Sequence, residues 1–127
     1  MSKEGLTKLI DQYLSAYSEK DAAGCAKAFT SDGALYSPYG PPAKGSQAIA
    51  ETHMEWFADP EEDKKLEMLE FQQFGESGYC LLGWSAKVPN QDTDDGYEIA
   101  SGKSLCILSI QKDEVLFRRL ALIPDTI

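Results

Sequence analysis

The stretch DAAGCAKAFTSDGALYSPYGPPAKG, residues 21–45, carries the strongest local signals in the chain. Asp21 suits the N-cap of a short helix, because its carboxylate can accept hydrogen bonds from the free N–H groups of the first turn. The helix is rich in small residues, which predicts close packing on a neighbouring element. Residues 30–33, Thr-Ser-Asp-Gly, have the composition of a turn.

A short strand and an irregular loop complete this stretch. The strand is predicted at residues 34–37, and Pro38 ends it because proline has no N–H for the sheet ladder. The Pro/Gly-rich residues 38–45 are expected to lack regular structure. Ser46 is expected to cap the next helix. We expect the loop to form the mouth of any pocket in the protein.

Helices flank the stretch and strands follow it. A preceding amphipathic helix places Leu6, Leu9, Ile10, Tyr13, Leu14 and Tyr17 on one face. A third helix, begun by Ser46 and ended at Asp59-Pro60, places Ile49, Thr52, His53, Trp56 and Phe57 on roughly one face. Four apolar strands are predicted at residues 65–74, 79–88, 97–111 and 115–123. The prediction is one α+β domain, residues 1–127.

Composition excludes several classes of function. The chain has 127 residues and a net charge of −9, which disfavours nucleic acid and anionic membranes as partners. Its three cysteines are far apart, which argues against disulfides and metal sites and favours a reducing, cytoplasmic location. The run 92–96, Asp-Thr-Asp-Asp-Gly, lacks the ligand order of a calcium loop. We expect neither a metal nor a cofactor.

The pattern K-D-A-x-x-x-A-x-x-F-x-x-D-G-x-L-Y-x-P-x-G, followed by G-S-x-x-I, resembles the nuclear transport factor 2-like superfamily. Within it the chain is most similar to SnoaL-like proteins and ketosteroid isomerases. The resemblance covers about residues 3–123. It implies a cone, in which three N-terminal helices pack inside a strongly curved antiparallel sheet around an apolar cavity. Members include isomerases, cyclases, dehydratases and non-catalytic binding modules, so the fold does not define the function.

Three positions of the isomerases can be compared with this sequence. The resemblance gives Tyr13 the role of the tyrosine that hydrogen-bonds the developing oxyanion. Ser37 stands where the isomerases have their catalytic aspartate base, and Cys106 aligns approximately with their second oxyanion partner. Serine cannot abstract a carbon-bound proton without a neighbouring base. True steroid isomerase activity is therefore not expected.

His53, the only histidine, is the candidate acid/base, because its side chain titrates near neutral pH. The alternative is a hydrogen-bonded core or rim residue. On a regular strand, Arg118 and Arg119 would point to opposite faces. The inward one would bind a ligand carboxylate or pair with an acid such as Glu67, Glu70 or Glu98.

Two functions remain open. The first is a pocket for a small hydrophobic and partly polar ligand. Any catalysis there would be proton transfer or hydration/dehydration of a carbonyl-type substrate by His53 and Tyr13. The second is a non-catalytic dimerisation or ligand-binding module. Apolar residues on both faces of the C-terminal strands predict a homodimer through the sheet. We expect ligand contacts from Tyr17, Phe29, Ser37, Tyr39, Trp56, Trp84, Cys106 and Arg118.

Overall fold

The computed structural model describes residues 2–112 and 114–125. Helices dominate the first half of the chain, and long strands form the second half, as the sequence predicts. The elements in chain order are α1 (Ser2–Ser18), α2 (Ala22–Ala26), β1 (Phe29–Tyr36), β2 (Ala43–Lys44), α3 (Ser46–Ala58), β3 (Glu62–Phe74), β4 (Ser77–Pro89), β5 (Tyr97–Gln111) and β6 (Glu114–Pro124).

The strands form one six-stranded sheet in the order β2-β1-β6-β5-β4-β3. The last four strands are an antiparallel meander, as expected. The sheet is mixed rather than antiparallel throughout, because β1 pairs with β6 in parallel. The chain reaches this pairing through the β2 loop, α3 and three strands, a connection long enough to allow a parallel neighbour.

The sheet curls around the helices. Helix α1 contacts both β3, at one edge, and β6, three positions away in the sheet. Register shifts lie between Met68 and Glu70 and between Ile107 and Leu108. Such bulges bend strands and increase their twist. The arrangement is the predicted α+β cone, with the helices on its concave side.

The core fills the space between α1 and the concave face of the sheet. Alternate residues of β4 and β5 are buried on this face, including Cys80, Leu82, Cys106 and Leu108. The apolar stripe of α1 packs against them, and Phe117 of β6 is fully buried between. Burial of such side chains contributes roughly 1.5–3 kcal/mol each.

Residues 21–45 differ in part from their prediction. The Asp21 cap is confirmed, since its Oδ1 accepts a hydrogen bond from the Gly24 N–H at 3.0 Å. The predicted turn at 30–33 lies within β1, where the pairing with β6 shifts register. Pairing with β1 also orders Ala43–Lys44 as β2 inside the loop. Helix α3 begins at Ser46, but Gly45 is its cap residue.

Among the residues described, no helix is both long enough and apolar enough to cross a membrane.

Candidate functional site at the open end of the cone

Tyr13 of α1 and His53 of α3 meet in the interior of the cone. The Tyr13 Oη lies 2.7 Å from His53 Nε2, and the His53 Nδ1 lies 2.8 Å from the Ile49 carbonyl oxygen. A carbonyl oxygen only accepts, so Nδ1 carries the ring proton. Nε2 is then the acceptor, and the Tyr13 hydroxyl donates to it. Both ring nitrogens of His53 are therefore occupied.

Burial holds this pair in its neutral form. His53 is fully buried and has aromatic neighbours on several sides, with the Trp56 ring centroid 4.9 Å away. Burial lowers the pKa of His53 to about 4, because the charged ring would lose its hydration there. Burial likewise raises the pKa of the Tyr13 hydroxyl well above its usual range. At neutral pH the pair is an uncharged phenol donating to an uncharged imidazole.

A surface recess that we call the mouth cleft lies beside Tyr17 and Trp56. It lies between the C-terminal ends of α1 and α3 and the start of β3, and its volume is about 490 Å³. Aromatic, aliphatic, acidic and basic side chains line it. They are Leu14, Tyr17, Ser18, Lys20, Trp56, Phe57, Asp59, Glu61, Glu62, Asp63 and Lys64.

Two other spaces adjoin Trp56. The inner cavity lies inside the cone, has a volume of about 20 Å³ and is bounded by side chains that include Tyr13, Lys64 and Trp84. The loop cleft has a volume of about 390 Å³ and is formed by the segment 37–43 with one face of α3. The loop that was expected to form the mouth of a pocket, residues 38–45, therefore lines the loop cleft. The mouth cleft is a different space, and Trp56 borders both.

Lys64, Glu61 and Phe57 of the mouth cleft were not among the expected site residues. The Tyr17 hydroxyl donates to Glu61 Oε1 at 2.6 Å, and the Lys64 Nζ lies 3.9 Å from the same oxygen. Burial and the Glu61 carboxylate both raise the pKa of Tyr17. One sequence signal points to Lys64. It lies two and four residues before Leu66 and Met68, and alternate residues of a strand point to the same face, here the core.

Five expected ligand contacts lie at these spaces. Tyr17 and Trp56 line the mouth cleft, Trp84 lines the inner cavity, and Ser37 and Tyr39 line the loop cleft. The Ser37 Oγ accepts a hydrogen bond from the Tyr39 N–H at 3.1 Å, which shapes the loop.

Three expected contacts are not brought to these spaces. Phe29 packs on Phe117 in the core, with ring centroids 5.4 Å apart. Cys106 is fully buried opposite Cys80 on the neighbouring strand. Neither residue lines the mouth cleft, the inner cavity or the loop cleft, and nor does Arg118.

The two arginines of β6 do not follow regular alternation. The register between β5 and β6 shifts at this point, with Ile107 opposite Arg119 and Leu108 opposite Phe117, so that Arg118 is the extra residue of a bulge. Arg118 Nη1 lies 3.4 Å from the Asp32 carboxylate, and Arg119 Nη1 donates to the Asp32 carbonyl at 3.1 Å. The acid that pairs with Arg118 is therefore Asp32 of β1, which was not among the acids expected for an inward arginine.

No protein-family model matches the sequence, and no curated protein matches it. Solved structures do match the fold. A ketosteroid isomerase-like protein from Erwinia carotovora atroseptica is 20% identical, with a TM-score of 0.80 over 98% of this chain and 96% of that one. An NTF2-like protein with a cystatin-like fold from Novosphingobium aromaticivorans is 17% identical, with a TM-score of 0.81 over 98% and 82%.

A third structure, ActVI-ORFA from Streptomyces coelicolor, is 18% identical, with a TM-score of 0.77 over 98% of both chains. These identities are too low to transfer an activity, and they establish architecture alone. The agreement extends over nearly the whole chain and includes the helices and the curved sheet. The chain has the nuclear transport factor 2-like fold, as the resemblance in residues 21–45 predicted.

Proposed function

We propose that the protein binds a small organic molecule in the mouth cleft. The observation that supports this most strongly is the cleft itself, whose volume of about 490 Å³ lies in the range of small-molecule sites. Tyr17, Trp56 and Phe57 offer aromatic surface, and Glu61 and Lys64 offer a few polar groups beside it. Aromatic surface beside acidic and basic groups suits a ligand that is partly apolar and partly polar, because the polar groups fix its orientation.

Binding without catalysis is the better supported form of this proposal. The inner cavity, at about 20 Å³, has room for about one water molecule. A substrate in the mouth cleft would not reach His53, which is fully buried and has both ring nitrogens occupied. In this form of the proposal, the Tyr13–His53 hydrogen bond has a structural role, because it links α1 to α3, the two helices that line the cleft.

A titration with β-naphthol tests this proposal, because this probe has an aromatic body and one hydroxyl. We expect calorimetry to give a dissociation constant below about 1 mM for the wild type. Phe57→Ala should weaken binding at least about tenfold, because it removes one wall of the cleft. Phe74→Ala is the matched control, since Phe74 is 60% exposed at the β3–β4 turn. Equal affinities of the two variants would contradict the proposed site.

Catalysis by Tyr13 and His53 is the second candidate, and their hydrogen bond of 2.7 Å favours it. In this scheme Trp56 or Lys64 moves aside and a ketone enters. The Tyr13 hydroxyl turns from His53 to donate to the ketone oxygen, and the freed Nε2 of His53 removes the α-proton and then returns it to carbon. Steroid isomerisation is not proposed, because Ser37 occupies the position of the base.

Deuterium incorporation at the α-carbon of indanone tests the catalytic candidate. If the pair is catalytic, the folded wild type accelerates exchange, and Tyr13→Phe and His53→Gln each lower the rate by about 100-fold or more. Tyr36→Phe, on a partly exposed tyrosine of β1, is the control and should keep the full rate. A rate that both site variants retain would exclude this assignment.

We propose further that two copies associate through the outer face of the sheet. The exposed side of β5 and β6 carries Leu105, Ile107 and Ile123, which are 42–50% exposed. Exposed apolar side chains grouped on one face of a sheet support an interaction surface there. The β3 side of the face carries Glu67 and the β5 side Lys103, so a two-fold axis between them would bring acid against base.

The proposed setting is the cytoplasm. Cys25, Cys80 and Cys106 are all free and buried, as in proteins of reducing compartments.

A further inference from the structure

Lys64 separates the mouth cleft from the inner cavity, because its side chain lines both. It lies in β3 directly after Asp63, whose φ of 57° accompanies a shift of the β3–β4 register. Bulges re-aim the side chains next to them. Alternation with Leu66 then turns Lys64 toward the concave face, where its side chain is only 13% exposed.

The ammonium group of Lys64 is held by aromatic rings. Its Nζ lies 4.9 Å from the centroid of the Tyr17 ring and 4.7 Å from that of Trp84. Both distances are within the range of cation–π attraction, about 6 Å. The Glu61 carboxylate completes the arrangement at 3.9 Å and is itself fixed by the Tyr17 hydroxyl. We call Tyr17, Glu61 and Trp84 the cage.

Two aromatic faces with one carboxylate form the type of site that recognises organic ammonium ions. In this chain the cage already contains such an ion, supplied by Lys64. Burial opposes the charged form there and lowers the pKa of Lys64, although Glu61 raises it. The cage therefore attracts the ammonium group, but this attraction does not fully offset the hydration that the group loses on burial.

The approach to the cage favours cations. Four acids line the mouth cleft, Asp59, Glu61, Glu62 and Asp63, against two lysines, Lys20 and Lys64. The whole chain carries a net charge of −9, so its field also attracts positive ligands. A cation entering this cleft meets Tyr17 and Glu61 of the cage first, and the side chain of Lys64 stands between it and Trp84 at the inner cavity.

We propose that the cage of Tyr17, Glu61 and Trp84 is a binding site for an organic ammonium group and that Lys64 occupies it as an internal competitor. The inference rests on the proposed ligand cleft and defines its ligand class. A ligand of this kind would displace the Lys64 ammonium toward solvent and take its place between the rings. Removal of the competitor should then open the cage to a free cation.

Choline and its carbon isostere neohexanol test the proposal, because they share a shape and differ in charge. The variant Lys64→Met keeps an unbranched apolar stem and removes the ammonium group. Its neighbour Lys65, with a side chain 69% exposed, supplies the matched control Lys65→Met. Tryptophan fluorescence reports binding, and thermal unfolding checks that each variant is folded.

We expect Lys64→Met to bind choline at least about tenfold more tightly than wild type, because a tethered competitor acts at an effective concentration of about millimolar or more. It should prefer choline to neohexanol by about fivefold or more, which reflects cation–π attraction. Lys65→Met should match the wild type. A folded Lys64→Met that binds choline no better than wild type, or no better than neohexanol, would overturn the proposal.

A second variant covers the case in which Lys64→Met is unfolded. Lys64→Gln keeps a polar end without charge and should show the same preference for choline. The result with β-naphthol separates the two proposals. If the wild type does not bind β-naphthol, the ligand cleft is contradicted. If the wild type binds β-naphthol but neither folded variant prefers choline to neohexanol, only the ammonium cage is contradicted.

Discussion

The Tyr13 hydroxyl donates to Nε2 of His53 at 2.7 Å while the Nδ1–H of His53 donates to the Ile49 carbonyl at 2.8 Å. This chain of two bonds connects α1 to α3 and fixes the histidine tautomer. No buried side-chain nitrogen or oxygen in the described part of the chain lacks a hydrogen-bond partner. The pair thus closes a complete polar network in an apolar core, where an unpaired group is costly.

Tyr13→Phe should destabilise the fold by about 1–3 kcal/mol, because it leaves Nε2 of the buried His53 without a donor. Denaturant unfolding measures the change. Tyr36→Phe is the control, since Tyr36 is 38% exposed, and it should change the unfolding free energy by less than about 0.5 kcal/mol. Equal effects of the two substitutions would show that the buried bond contributes nothing.

The stability should depend on pH through His53. Its pKa is 6.5 in the unfolded chain and about 4 in the folded one, so the unfolded state binds the proton more readily. Stability from this group is complete above pH 6.5 and is lost as the pH falls to about 4. The decrease from 6.5 to about 4 corresponds to about 3 kcal/mol, at about 1.4 kcal/mol for each pH unit.

NMR of the single histidine ring measures this pKa directly. In denaturation experiments, the stability advantage of the wild type over His53→Gln should shrink between pH 6.5 and 4. A ring that titrates near 6.5 in the folded protein would refute the buried, neutral pair.

Gly102→Ala should disturb the position of Trp84. A Cβ at Gly102 would lie 2.7 Å from Trp84 Cζ2 and 2.5 Å from the Ile123 carbonyl oxygen, closer than real contacts allow. We expect a loss of about 1–3 kcal/mol in unfolding free energy and a change in tryptophan fluorescence. Gly40→Ala has open space around its Cβ and serves as the control. If both variants behave like the wild type, the claim that Gly102 has no room for a Cβ is contradicted.

Ile107→Lys should weaken the proposed dimer, because it replaces an exposed apolar side chain of the outer face with a charge. Light scattering over a concentration series should give a dimer for the wild type and a monomer for the variant. Phe74→Lys is the control, since Phe74 is also exposed but lies at the β3–β4 turn. A wild type that remains monomeric at high concentration contradicts the dimer.

Local signals in the sequence were sufficient for the helices and the long strands. The apolar stripe of α1 and the Asp21 cap depend on near neighbours, and both are confirmed. The parallel pairing of β1 with β6 and the short strand β2 depend on partners far along the chain. No periodicity in residues 29–44 encodes those partners, so the prediction gave a turn, a short strand at residues 34–37 and an irregular loop instead.

The candidate site illustrates the same limit. Placing His53 on the inward face of α3 was possible from spacing, but its partner Tyr13 lies 40 positions away along the chain. Arg118 was expected at a ligand because the strand was taken as regular, and the bulge in β6 turns it to Asp32. Lys64 shares strand parity with Leu66, yet the predicted strand began at residue 65, whereas β3 begins at Glu62, so Lys64 stood outside the predicted alternation.

The central claim is that the mouth cleft binds a ligand, and the indole N–H signals of the two tryptophans test it most directly. Trp56 lines the mouth cleft, and Trp84 lies behind Lys64 at the inner cavity. On titration with β-naphthol, we predict that the Trp56 signal shifts and saturates with the calorimetric dissociation constant. The methyl signals of Ile107 and Ile123 on the outer face should stay unchanged. An unshifted Trp56 signal, or shifts confined to the outer face, would contradict the claim.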